Sequence, residues 1–114
     1  MNSRHTWQQE YQSEIEHAEL ARLNGNAGMA RVCARRAAGI VIGEYLARHG
    51  YSKLTHSAYD RIALFNRLPE VDQGLKIIAQ HFLLKVNKNH EFAQDLDLIK
   101  DAQILKKTLL TNEN

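Results

Sequence analysis

The sequence predicts an all-α protein, an up-and-down four-helix bundle with an additional short helix, on three observations. Apolar residues recur at spacings of three and four along the chain, as one face of a helix requires. No run alternates apolar and polar residues with β-branched enrichment, as a half-buried strand would. Gly, Asn and Pro stand between the periodic segments and punctuate them.

The first helix is expected from about Thr6 to Leu23, with Trp7, Tyr11, Ile15, Ala18 and Ala21 on one apolar stripe and Glu10, Glu16 and Glu19 toward its flanks. Asn24-Gly25-Asn26 ends it, because Gly and Asn accept the left-handed conformation that closes a helix. The second, from about Ala27 to His49, carries small or apolar residues around most of its circumference, as expected of a central helix packed on several sides. Gly39 and Gly43 share a face of it and cost roughly 1 kcal/mol each against Ala, which predicts close approach of another helix backbone. Gly50 supplies the stop, and Ser52 or Thr55 can begin the next segment.

A third helix is expected near Ser57 to Arg67, with Ala58, Ile62 and Phe65 inward and Ser57 and Asp60 at capping-box spacing. Leu68-Pro69 ends it, and Pro69 suits the first turn of a fourth helix, from about Pro69 to Val86. Val71, Leu75, Ile78, Phe82 and Val86 form that helix's core-facing stripe. Asn87 to Glu91 reads as a polar loop. Asp95 or Asp97 can then cap a last helix from about Leu98 to Leu110, with Leu98, Ala102, Leu105 and Leu109 inward and Lys106 and Lys107 at its negative end.

At 114 residues the chain reads as one domain over residues 1–114, large enough for a packed core without disulfides or a structural metal. One cysteine, Cys33, cannot form an internal disulfide, and the longest apolar run, Ala37 to Gly43, is far short of the ~20 residues of a membrane span. The N-terminal residues show no export signal, so a cytoplasmic protein away from membranes is expected. The formal charge of +2 permits contact with a polyanion but is too small to predict one.

No residue cluster spells out a reaction, and the expectation is no catalytic residue, no metal and no cofactor. His5, His17, His49, His56, His81 and His90 are scattered without the i,i+4 pairing of helical zinc ligands. Gly25-Asn26-Ala27-Gly28 follows a helix and lacks the lysine of a phosphate loop, although the helix start behind it offers free N–H groups. Cys33, between Val32 and Ala34, reads as an inert core residue, and Ser57, Tyr59 and Asp60 form no recognisable triad.

Arg31, Arg35 and Arg36 are the candidate site residues. At ~100° per residue Arg31 and Arg35 lie ~40° apart, whereas Arg36 points about a third of a turn away, toward Gly39 and Gly43. If structural, Arg31 and Arg35 pair with Glu14 or Glu19, and Arg36 reaches Glu44 or Asp60. If functional, their guanidinium forks bind a phosphate, a nucleotide or a nucleic-acid backbone, because Arg grips such oxygens bidentately. An oligomer contact is the third use.

The string Gly25-Asn26-x-Gly28-x-Ala30-Arg31-Val32-Cys33-Ala34-Arg35-Arg36-Ala37-Ala38-Gly39, with Ser57-Ala58-Tyr59-Asp60, Leu68-Pro69 and Asp97-Leu98-Ile99, resembles small bacterial proteins of the HEPN-like superfamily. The resemblance spans about Trp7 to Leu110 and is strongest in the second helix. It implies a bundle similar to the C-terminal domain of kanamycin nucleotidyltransferase, usually dimeric, with functions that include nucleotide binding, partnership with nucleotidyltransferases in toxin–antitoxin pairs, and metal-independent RNA cleavage. The family's ribonuclease motif is an arginine, four to six residues, then a histidine. None of the eight arginines here has a histidine at that spacing, the nearest pairing being Arg48 with His56.

Two classes of function follow. One is a non-catalytic helical module that forms a homodimer and binds a protein partner, such as a nucleotidyltransferase, or a nucleotide-like or phosphate anion. The other is an RNA-directed enzyme whose arginine and histidine meet across the fold. The enzyme needs Arg31 or Arg35 and a histidine such as His56 or His81 in one accessible cleft, whereas a structural role predicts buried arginines paired with carboxylates.

Overall fold

The computed structural model describes residues 6–85 and 96–110. Its helices are α1 (Trp7–Leu23), α2 (Ala27–Arg48), α3 (Ala58–Phe65), α4 (Gln73–Gln80) and α5 (Leu98–Leu109), with a 3-10 turn at His81–Leu83 directly after α4. Every α-helix starts on a side-chain cap. Thr6, Asn26, Ser57, Asp72 and Asp97 accept backbone N–H groups of the first turns of α1 to α5 respectively, and Thr6 exchanges bonds with Gln9 in a full capping box.

The two longest helices end in the same way. Gly25 (φ 76°) follows the Asn24 cap, and the N–H groups of Asn26 and Gly25 donate to the carbonyls of Ala21 and Arg22 at 2.8 and 3.1 Å, a Schellman closure. Gly50 (φ 90°) does the same for α2, with Tyr51 N–H reaching the Leu46 carbonyl at 3.0 Å.

Helix α2 is the centre of an all-α bundle, packing against α1, α3 and α5. The three residues between α1 and α2 fold them into an antiparallel hairpin. Tyr11, Ile15, Ala18 and Ala21 of α1 are buried, as their stripe predicts, while Trp7 is half-buried. Ile42, Leu46 and Val41 of α2 meet Ile62 and Phe65 of α3 and Leu105 of α5 in the fully buried centre. Each such side chain contributes about 1.5–3 kcal/mol by leaving water.

The close approach expected at Gly39 is present. A Cβ there would lie 2.5 Å from Ala58 Cβ and 2.8 Å from Ala58 Cα, so the start of α3 rests directly on α2. At Gly43 the neighbour is the guanidinium of Arg61 rather than a helix backbone. This small-residue face is therefore covered by α3 of the same chain.

The fourth helix departs from expectation at both ends. It begins at Gln73 behind the Asp72 cap, leaving Pro69 in the preceding turn, and it tightens into the 3-10 turn at His81. Of its stripe, Val71 and Phe82 are buried and Leu75 and Ile78 half-buried, while Val86 and the polar loop Asn87–Glu91 lie outside the described residues. His81 Nδ1 donates to Asp101 Oδ2 at 2.8 Å and ties this turn to α5. Among the described residues no helix is long and apolar enough to cross a membrane.

Candidate functional site

The three arginines all lie on the N-terminal half of α2, in different surroundings. Arg31 is half-buried, and its Nε is shut off from solvent without a hydrogen-bond partner. Arg35 is half-buried and Arg36 exposed. Burial, and then the positive charges of Arg31 and Arg36, pull the Arg35 guanidinium down from its usual value, with Tyr59 opposing.

The pairing expected of structural arginines is not found. Among the described residues no carboxylate lies within ion-pair distance of Arg31, Arg35 or Arg36. Glu44 instead holds Arg48 one helical turn away, with Nε donating to Oε2 at 2.8 Å. Asp97 pairs with Arg22 at 3.2 Å. Glu14 lies near Cys33, and its Oε1 is buried without a partner. Among the described residues, then, no ion pair compensates these three guanidinium groups, of which Arg31 and Arg36 are near enough to Arg35 to act on it by their charge.

Two of them open onto a groove of about 440 Å³ between α2 and the start of α3. Arg35 and Arg36 form one wall, with Val32 and Ile40 as its apolar part and Glu14 of α1 at its edge. His56, Ser57, Tyr59 and Arg61 form the facing wall. Arg31 is not on either wall; it acts through its charge on Arg35.

The facing wall is positioned by hydrogen bonds. Ser57 caps α3 by accepting from Asp60 N–H at 3.1 Å, and its own N–H donates to the Thr55 hydroxyl at 3.0 Å. Arg61 Nε donates to the Thr55 carbonyl at 2.6 Å, and Nη1 reaches the Gly39 carbonyl at 3.4 Å. The same guanidinium therefore fixes the loop before α3 and clamps it to α2. Gly39, having no side chain, lets the two walls approach.

His56 shares this groove with Arg35, whereas His81 is engaged with Asp101 elsewhere. Cys33 is buried, and burial, then the Glu14 charge, push its thiol up, with Arg36 opposing; it is a poor nucleophile there. Among the described residues no group of three His, Cys, Asp or Glu is arranged to hold a metal ion. The arginines stand out in the sequence, but His56, Tyr59 and Arg61 reach the site only through the packing of α3 on Gly39; the Gly39/Gly43 spacing announces a close approach there, not which helix makes it.

Comparison with models of known protein families, with curated proteins and with solved structures yields no match for this chain.

Proposed function

We propose that the protein is a non-catalytic, HEPN-like helical module whose groove between α2 and α3 binds a nucleotide-like or phosphate anion. The observation that supports it is the cluster of Arg31, Arg35 and Arg36 without a carboxylate partner among the described residues, two of the three facing a groove of about 440 Å³. That volume falls in the range of small-ligand sites, roughly 300–1,000 Å³. Mutually repelling guanidinium groups hold a free-energy cost that a bound phosphate relieves, and their forks match its oxygens.

Thermal unfolding against AMP, ATP, pyrophosphate, inorganic phosphate and a short RNA tests this. A ligand at about a hundredfold over its Kd adds about 2.7 kcal/mol. For 114 residues that is a rise of roughly 10 °C. The rise is expected to vanish in Arg35→Ala and Arg36→Ala. No rise with any probe refutes the anion site and leaves a protein partner, such as a nucleotidyltransferase, as the function of the module.

The presence of Arg35 and His56 on one groove favours a second reading, an RNA-directed enzyme with an arginine and histidine assembled in space. Cleavage of a labelled RNA that is lost in His56→Ala supports it; the module predicts no cleavage. The resemblance also suggests a homodimer, and light scattering at micromolar concentration that returns the 13.1 kDa of one chain removes that part.

A further inference from the structure

The charges around the groove are unequal in number. Arg35, Arg36 and Arg61 face it, and Glu14 is the one carboxylate among the described residues that line it, an excess of two positive charges. Arg61 is restrained, because the Thr55 and Gly39 carbonyls accept from two of its nitrogens, yet its five N–H donors exceed those two bonds.

A phosphodiester or a sulfate ester brings a single negative charge to such a site. A phosphomonoester brings about −1.5 to −2 at pH 7, with three strong acceptor oxygens. Tyr59 lines the facing wall, is 48% exposed, and has its phenol near enough to Arg35 to affect its ionisation, which makes it the aromatic side chain available beside the guanidinium groups. Aromatic faces take planar groups at roughly 1–3 kcal/mol per stacked base.

From this charge excess and the adjoining ring we infer that the groove selects a phosphomonoester carrying a planar ring, in preference to diesters and other monoanionic esters. The inference rests on the anion-binding reading above and specifies its ligand. The same chemistry is present in a free nucleoside monophosphate and in the terminal phosphate of an oligonucleotide.

Titration calorimetry with phenyl phosphate, methyl phenyl phosphate and phenyl sulfate varies the charge while keeping the ring. Phenyl phosphate is expected to bind at least about tenfold more tightly than either monoanion, and Arg36→Gln to reduce that preference. Arg36 is exposed, so the variant should keep its fold, which circular dichroism checks. AMP and a trinucleotide with or without a 5′-phosphate then separate the sources. Tight binding of AMP alone assigns a free nucleotide, and tight binding of the phosphorylated but not the unphosphorylated trinucleotide assigns a nucleic-acid end; both support the inference. Equal affinity for the three phenyl esters, weakened alike by Arg36→Gln, overturns monoester selection and leaves the anion groove standing. Binding of none of them, nor of pyrophosphate, or binding indifferent to Arg35→Gln and Arg36→Gln, overturns both.

Discussion

Replacing Gly39 by Ala sets two well-understood effects against each other. Helix propensity favours Ala over Gly by about 1 kcal/mol in a helix interior. The structure opposes it, because the new methyl would lie 2.5 Å from Ala58 Cβ and 2.8 Å from Ala58 Cα, contacts that only a shift of the α3 backbone can relieve. Overpacking of this kind costs about 1–3 kcal/mol, and here the displaced element also carries the Arg61 bonds to Gly39 and Thr55. The cost should exceed the gain by about 1–2 kcal/mol, which for 114 residues lowers Tm by roughly 4–8 °C. Gly43→Ala is the comparison, since its methyl meets the Arg61 guanidinium rather than a backbone; relieving that contact gives up the Nη1 bond to the Gly39 carbonyl without moving α3, a loss of about 0.5–1.5 kcal/mol that should nearly cancel the propensity gain. Thermal and urea unfolding monitored at 222 nm read both. A Gly39→Ala protein more stable than the parent would refute the reasoning, because it would mean that α3 does not rest on α2 at this point.

Three further outcomes follow from the packing. Asp101→Ala removes the partly buried acceptor of His81 and should cost about 1–3 kcal/mol in urea unfolding; an unchanged midpoint would show the 3-10 turn to be held without it. Burial, and then the charge of Glu19, push the Tyr11 phenol up to about 12 from 10.0, so the folded state favours the protonated form. That contribution to stability is present below pH 10 and is lost as pH rises through about 12, and ultraviolet titration should find a tyrosine ionising only with alkaline unfolding. Cys33, buried with its thiol pushed up, should react with a thiol reagent at pH 8 slowly in the native protein and rapidly in urea; equal rates would contradict its placement in the core.

The long elements were legible because their ends are written locally. Thr6, Asn24-Gly25-Asn26, Gly50, Ser57 and Asp97 are residues whose side chains or left-handed backbone close a helix without help from the rest of the fold. The fourth helix was less so, since Pro69 and Asp72 are both acceptable starts three residues apart, and Asp72 prevails by accepting from Gly74 N–H at 2.9 Å. Its early end has no Gly or Pro to mark it; burial of Phe82 and the bond from His81 to Asp101 are tertiary contacts. The arginines are conspicuous in an otherwise small and apolar helix, but spacing alone does not fix what they meet. Glu44 is taken by Arg48, and Glu14 lies by Cys33, arrangements that depend on rotation and register between helices rather than on spacing. HEPN-like membership remains a proposal resting on the motifs of α2 and the helix order.

If Arg35 serves a ligand rather than the fold, as proposed above, Arg35→Gln reveals it by the sign of two shifts in one experiment. Thermal unfolding of the parent and the variant is measured in low salt, without ligand and with AMP. Relief of repulsion from Arg31 and Arg36 predicts that the unliganded variant melts at or above the parent temperature and that the AMP-dependent rise disappears. A variant that melts several degrees lower while keeping the full AMP-dependent rise would contradict the account and make Arg35 a structural residue.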